Sequence, residues 1–346
     1  MEPYRIFLSY SHEDLQIAEK VAGVLEGLSL RPIWDKHIRP GTAFTDAIKG
    51  LIAHAHVFMP LITGSSRKRP WVHQETGYAM ALNIPVLPIA VGNALGGEMI
   101  AQLQAIHVNK DLSDLEQRLG AIDFEHVVTP SPDKPLAMVE VADWPEQRVE
   151  LIARYADRVW EIGGPNRVCQ RGGLSSFSIP DTDIDDPFWK ERDGDYPRSD
   201  YYHHLLRQER RALERHARDA GCDLLIDPTT EPSGGQRSRG ARLRSLFAFL
   251  QSMPDDKIRI ICSPRARDAN HTIVGDWFVA ESRFRLPGQG WRHTVFSWHA
   301  PTALHARDEF NQLLESLLSD EGHADGGSRR AAIEKVEAEI VGLSDR

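Results

Sequence analysis

At 346 residues the chain is long for one ordinary domain and comfortable for two. Hydrophobic residues at 41% and charged residues at 26% give a globular composition and exclude a disordered or fibrous chain. The net charge of −9 argues against general affinity for nucleic acid or an anionic membrane, and three scattered cysteines (Cys169, Cys222, Cys262) exclude a disulfide framework or a Cys-x-x-Cys zinc site.

The first residues, Met1-Glu2-Pro3-Tyr4, run into an apolar stretch without a basic region and hydrophobic segment. No window is long enough to span a bilayer, so a cytoplasmic chain with no membrane partner is expected. Arg5 to Tyr10 is a short apolar run of strand type. Ser11-His12-Glu13-Asp14 starts a helix with an acidic first turn, and Ile17, Val21, Val24, Leu25 and Leu28 follow at helical spacing. Arg31 to Asp35 is a second strand. A loop containing Pro40-Gly41 leads to a helix with Ala47, Ile48, Leu51 and Ile52. His56 to Thr63 reads as a third strand despite Pro60, Trp71 to Leu82 as a helix, and Ile84 to Val91 as a fourth strand. Met99 to Ile106 is expected to be helical, His107-Val108 a short strand, and Leu112 to Leu119 another helix. Strands apolar at nearly every residue, alternating with helices, indicate a parallel sheet covered on both faces. Functional loops then gather at the carboxyl ends of the strands: Ser9-Tyr10-Ser11, Asp35 with the loop after it, and Thr63-Gly64.

The pattern dissolves near Thr129-Pro130-Ser131-Pro132-Asp133-Lys134-Pro135, a density of proline that reads as an extended linker. A second unit follows. It has helices from Gln147, over Tyr201 to Ala220 and over Ala241 to Met253, with strands at Asp223 to Ile226 and Ile258 to Cys262. An apolar run at Thr272 to Ala280, a strand at Thr294 to Trp298 and a helix at Thr302 to Leu318 complete a mixed α/β pattern. The arginine-rich stretch Gln236 to Arg242 reads as a solvated loop. The expected organisation is a first domain over 1–125, a linker over 126–146, a second domain over 147–320 and a polar, partly helical tail over 321–346.

One residue stands out. Val72, Glu75, Ala79 and Leu82 fall on one helical stripe, with Trp71 a turn before Glu75 and Tyr78 about a turn after it. A carboxylate on an apolar stripe is costly to bury without compensation, so Glu75 either lies at the margin of the stripe or has a task.

Four motifs, taken in order, bear on that choice. Phe7-Leu8-Ser9-Tyr10-Ser11-His12-Glu13-Asp14 resembles the first strand and turn of bacterial Toll/interleukin-1 receptor (TIR) domains. Ile33-Trp34-Asp35 resembles their second strand, Ile38 to Phe44 the so-called BB loop, and Trp71-Val72-His73-Gln74-Glu75 the Trp-x-x-x-Glu signature. The resemblance covers residues 4–120, about a third of the chain. It implies a flavodoxin-like TIR domain with a parallel sheet, followed by a second mixed α/β domain.

Some TIR domains only bind one another. Many bacterial and plant ones cleave NAD with the glutamate of that signature, here Glu75. On this resemblance Glu75 is the expected catalytic residue, and Ser9, Tyr10, Trp34, Asp35, Arg39, Phe44 and Trp71 are the expected substrate-binding residues. Trp71 has two readings of equal weight, pocket wall and core packing. NAD would be the substrate, with no cofactor and no metal. Chemistry explains why one carboxylate suffices: nicotinamide leaves as a neutral molecule from a pyridinium, so the second acid used by most glycosidases is not needed. What remains is to stabilise an oxocarbenium-like ribose. The family often carries a serine two residues before the tryptophan, where this chain has Arg69. The stretch Arg67-Lys68-Arg69-Pro70 reads either as steering for an anionic dinucleotide or as a solvated loop. No G-x-G-x-x-G loop is present, which argues against NAD as a redox cofactor.

The resemblance further implies self-association through TIR domains, an unidentified activating ligand or partner at the second domain, and a role in antiphage defence. The alternative is a non-enzymatic adaptor acting by TIR–TIR contact. In the second half, His271-Thr272-Ile273-Val274-Gly275-Asp276 is faintly similar to the His-x-Lys element of phospholipase-D-like enzymes, but Ile273 replaces the lysine. His203-His204 lacks a third metal ligand at useful spacing. Trp277, Trp291 and Trp298 are expected in the core or at an interface.

Overall fold

A computed structural model of the protein describes residues 4–34, 44–66, 70–94, 103–128, 139–180, 199–232, 235–286, 290–322 and 328–344. The chain divides into two compact units, one of residues 1–138 with 298–302 and one of residues 139–297 with 303–346.

In the first unit β1 (Arg5–Ser9), β2 (Arg31–Ile33), β3 (Val57–Ile62), β4 (Ile89–Val91) and β5 (Ile106–Val108) form a sheet in the order β2-β1-β3-β4-β5. Every pairing is parallel. Helices α1 (Leu15–Gly27), α2 (Phe44–Ala53), α3 (Pro70–Ala81), α4 (Leu115–Gly120) and α5 (Phe124–Val128) lie between and after the strands. Every residue of β1 and β3 is buried, which is why β3 and the middle of β1 read as apolar runs. Alternation along β1 divides its side chains: Ile6 and Leu8 join Val21 and Leu25 of α1 and Leu119 of α4 in one core layer. Phe7 and Ser9 face the other way.

Proline shapes this sheet. Pro60 has no N–H to give a ladder, and the β1–β3 register ends at the Ser9–Pro60 pair, after which β3 pairs with β4 from Leu61 onward. The fourth strand is shorter than its hydrophobicity suggests. Pro85 and Pro88 interrupt the run, leaving one bridge between Phe58 and Val86 ahead of Ile89–Val91. Of the helix expected over 99–106, residues 99–102 lie outside the described residues and 103–106 are not helical, Ile106 itself opening β5.

The second unit is built on a seven-stranded mixed sheet in the order β6-β12-β11-β10-β7-β8-β9. Its strands are β6 (Val139–Ala142), β7 (Val168–Gly172), β8 (Cys222–Ile226), β9 (Ile258–Cys262), β10 (Asn270–Val274), β11 (Phe278–Leu286) and β12 (Gly290–Ser297). β7, β8 and β9 run parallel, and the remaining pairings are antiparallel. Helices α6 (Pro145–Gly163), α7 (Ser199–Ala220), α8 (Gly235–Ser252), α9 (Ala300–Asp320) and α10 (Ser328–Ser344) accompany it. Phe310, Leu314 and Leu317 of α9 close a core with Cys169, Leu225, Ile261 and Ile273 from four strands.

Several expectations are corrected here. The arginine-rich stretch Gln236 to Arg242 is not a loop but the first turns of α8. Arginine and glutamine are good helix formers, Ser238 and Ala241 are buried, and Arg239 donates to the Pro228 carbonyl at 2.9 Å while pairing with Glu339 of α10. The apolar run at 272–280 is two strands of a hairpin. It turns at Gly275, whose φ of +54° and a Cβ position 2.5 Å from Asn166 Oδ1 both require glycine. A strand, β6, lies inside the stretch read as linker, and the tail expected to be polar and partly helical is helical over α10 but buries Ala332 and Val336. Among the described residues no helix is long and apolar enough to cross a membrane.

Candidate active site

Because Ser9 faces away from α1, its hydroxyl points toward α3. Pro70 opens that helix, at the position where its missing N–H costs nothing. The stripe read from the sequence is real: Val72, Glu75, Ala79 and Leu82 are all buried, joined by Thr76, whose hydroxyl donates to the Val72 carbonyl at 2.7 Å. Glu75 is only 6% exposed. Its Oε2 accepts from Ser9 Oγ at 2.5 Å, a charge-assisted hydrogen bond between the end of β1 and the middle of α3.

A cavity of about 130 Å³ opens beside this pair. Ser9, Tyr10, Ser11 and His12 form one wall, Trp71, Val72 and Glu75 another, and Phe7, Leu8 and Ile48 the floor. Phe7 stacks on Phe58 with ring centroids 5.6 Å apart, which anchors that floor to β3. A second polar knot lies at the same carboxyl ends of the strands. Thr63 Oγ1 donates to Asp14 Oδ2 at 2.7 Å, and the Thr63 N–H donates to Ser66 Oγ at 2.8 Å. These bonds tie the turn after β1 to the turn after β3.

Of the residues singled out from sequence, Ser9, Tyr10, Trp71 and Glu75 meet around the cavity. Trp71 is half-exposed at its rim. Trp34 is buried in the layer that packs on α1, 5.7 Å from the Tyr10 ring, and is not among the residues lining the cavity. Asp35 and Arg39, like Arg67, Lys68 and Arg69, lie outside the described residues, as does the side chain of Phe44.

Ser11, His12 and Ile48 were not picked out as site residues. Ser11 is the most informative of them. The residue lines the cavity, and its buried hydroxyl has no hydrogen-bond partner among the described residues. The signal that could have found it is its place two residues past Ser9, directly after the end of β1.

The sheet order, the all-parallel pairing and the Trp-x-x-x-Glu helix agree with the comparison to known families, in which residues 6–122 match the TIR domain. The N-terminal unit is a TIR domain. No curated protein matches the chain. The TIR domain ends before β6, and residues 123–346 lie beyond the match.

Proposed function

We propose that the TIR domain cleaves the nicotinamide–ribose bond of NAD, with Glu75 as the catalytic residue. The observation that carries this reading is a buried carboxylate, held by a serine hydroxyl, at the wall of a cavity with apolar and aromatic sides. Burying Glu75 on an otherwise apolar stripe is costly, and folding alone gives no reason for it. A preorganised anion in a partly dry cleft is what an oxocarbenium-like ribose requires. The cavity is near the roughly 150 Å³ that admits a single ring, which suits one ring at the scissile bond and leaves the rest of the dinucleotide outside.

In the proposed reaction the C1′–N bond breaks and its electron pair leaves with nicotinamide, which departs neutral. Water adds to C1′ and loses a proton, giving ADP-ribose; attack by the adenine ring instead would give the cyclic product. Glu75 stabilises the positive charge on the ribose and orients its hydroxyls. Ser9 holds the carboxylate in place, and the Ser11 hydroxyl supplies a hydrogen bond to the substrate. NAD is substrate here, and no cofactor or metal is invoked. The proposal extends to control: the domain acts when copies assemble, the second unit responds to a ligand and governs that assembly, and the setting is antiphage defence. Support for this extension comes from the family resemblance and from the presence of a separately folded second unit.

The test is nicotinamide release from NAD by the full chain at high protein concentration, comparing wild type with Glu75→Gln. Release by the wild type that disappears in the variant supports the enzyme. No release by folded protein, even under forced oligomerisation, would overturn it in favour of an adaptor working by TIR–TIR contact.

A further inference from the structure

The second unit holds a cavity of its own, of about 180 Å³, at the carboxyl ends of β7 and β8. β7 pairs in parallel with β8 on one side and antiparallel with β10 on the other, so the strand direction reverses here. The turn after β7 is fixed by side chains. Ser176 N–H donates to Gln170 Oε1 at 3.0 Å, Gln170 Nε2 donates back to Ser176 Oγ at 2.6 Å, and Ser176 Oγ donates to Glu209 Oε1 at 2.5 Å. Gly173 is required as well: a Cβ there would lie 2.6 Å from Thr230 Cγ2 in the turn after β8.

Three arginines, Arg148, Arg171 and Arg242, and one carboxylate, Glu209, line the cavity in a chain whose net charge is −9; Arg171 also stands 3.8 Å from the mostly exposed Asp268 and donates to the Arg265 carbonyl at 2.9 Å. Arg148 Nη1 stands 3.8 Å from Glu209 Oε2, beyond hydrogen-bond reach, while its Nη2 donates to Asn270 Oδ1 at 3.3 Å. Five buried polar atoms on residues lining this one space have no hydrogen-bond partner among the described residues: Arg148 Nε, Arg171 Nε, Ser175 Oγ, Glu209 Oε2 and His271 Nε2, the last 3.4 Å from Glu281 Oε1. Ser175 is 6% exposed and Glu209 is 2% exposed. Orphaned polar groups are rare in folded proteins, and five on the residues around one cavity mark a place where a ligand completes the bonding.

The donor set defines that ligand. A surplus of guanidinium groups calls for an anion, and arginine forks match phosphate. Glu209 Oε2 needs a donor in return, which a bare sulfate or carboxylate does not have and a sugar hydroxyl does. The volume is little more than the roughly 150 Å³ that takes one ring and well below the ~300–1,000 Å³ of drug-sized pockets. We propose that this cavity binds a small phosphorylated sugar, free or as the phosphoribosyl end of a nucleotide, with the arginines holding the phosphate and Glu209 and Ser175 the hydroxyls.

Isothermal titration of the full chain with ribose 5-phosphate, AMP, ribose and inorganic phosphate tests this. The expected result is binding of ribose 5-phosphate or AMP, with ribose and phosphate at least ~10-fold weaker. Tighter binding of AMP identifies the nucleotide, and tighter binding of ribose 5-phosphate the free sugar. Arg171→Gln and Glu209→Gln should each weaken binding ~10-fold or more, whereas Glu75→Gln should leave it unchanged. Ser175→Ala removes a hydroxyl without a partner among the described residues, so it keeps the fold and should still lose several-fold in affinity. The proposal is overturned if neither phosphorylated sugar binds, if phosphate binds as tightly as ribose 5-phosphate, or if Ser175→Ala and Arg171→Gln both bind like wild type. Loss of binding in Glu75→Gln alone would place the ligand in the TIR domain and overturn it too.

Discussion

The hydroxyl of Ser9 reaches the carboxylate of Glu75 at 2.5 Å across 66 residues of sequence. One residue ends a strand and the other sits on the buried stripe of a helix, so the bond joins the two elements that wall the cavity. A hydrogen bond to a charged group contributes about 1.5–3 kcal/mol, and each 1.4 kcal/mol is tenfold in rate. Ser9→Ala is therefore expected to slow nicotinamide release ~10–100-fold, most of it in kcat, because the carboxylate loses its orientation. Steady-state kinetics on folded full-length protein measure this, and an unchanged kcat would sink the positioning role.

Ser11 should behave in the opposite way toward the fold. Its buried hydroxyl has no partner among the described residues, so Ser11→Ala relieves a desolvation cost and leaves the melting temperature equal or higher. If the hydroxyl serves the substrate, KM for NAD rises about 2–10-fold for the ~0.5–1.5 kcal/mol of one neutral hydrogen bond. A lowered melting temperature would show that the hydroxyl is bonded within the protein after all.

Asp223, 1% exposed on β8, accepts two bonds from Arg167 (2.8 and 2.6 Å) and two from Arg259 (2.8 and 2.9 Å). Asp223→Ala leaves Arg167 without its anion and Arg259 with only Glu315, 3.6 Å away. Both arginines reach solvent in part, so the expected loss lies at the lower end of the range for broken buried pairs, about 3 kcal/mol. Urea unfolding of the variant gives the value, and a loss below ~1 kcal/mol would show that water replaces the carboxylate.

Acid should destabilise the second unit in two steps. Burial holds the His216 imidazole below its ordinary value, and its neutral form is fixed by accepting from the Asn166 N–H at 2.9 Å and facing the Ala156 carbonyl at 2.8 Å. Burial alone would raise the Asp223 pKa, but the hydrogen bonds from Arg259 and Arg167 outweigh it and hold the carboxyl below its usual range. In both cases the unfolded chain takes up its proton at higher pH than the folded one. Stability is thus present above the unfolded values and falls as pH drops, first below about 6.5 for His216 and then below about 3.9 for Asp223. Urea midpoints at pH 7.5, 5.5 and 4 should decline in that order. A midpoint that stays level from 7.5 to 5.5 would contradict the His216 assignment.

Gly163, the last residue of α6, packs under a fully buried tryptophan. A Cβ there would lie 2.4 Å from Trp277 Cζ2. Although alanine is the better helix former, Gly163→Ala should destabilise by about 1–3 kcal/mol through overpacking, measurable as a lowered melting temperature.

Legibility in the sequence followed the physics of each signal. β1 and β3 were readable because both faces are buried and their residues are apolar apart from Arg5 and Ser9 at the ends of β1, and the Glu75 stripe because helical periodicity survives within one element. The shortening of β4 needed only the weight due to Pro85 and Pro88. β6 escaped notice because Val139 and Val141 are exposed and only Ala142 is buried, so hydrophobicity carries no trace of its pairing with β12. The Ser9–Glu75 contact and the bare hydroxyl of Ser11 are properties of packing, not of any local pattern. The second cavity was harder still, since Arg148, Arg171, Glu209, Arg242 and Asn270 come from five different elements.

β6 is short, yet it is what stands between the eight-residue β12 and open solvent at that side of the second sheet. A fragment cut at residue 147, where helical periodicity begins, would discard it and expose a row of unpaired amides and carbonyls beside Phe296, a template for strand-to-strand aggregation. Cutting at 139 and keeping α10 gives an expression boundary that leaves both flanks of that sheet as nature built them.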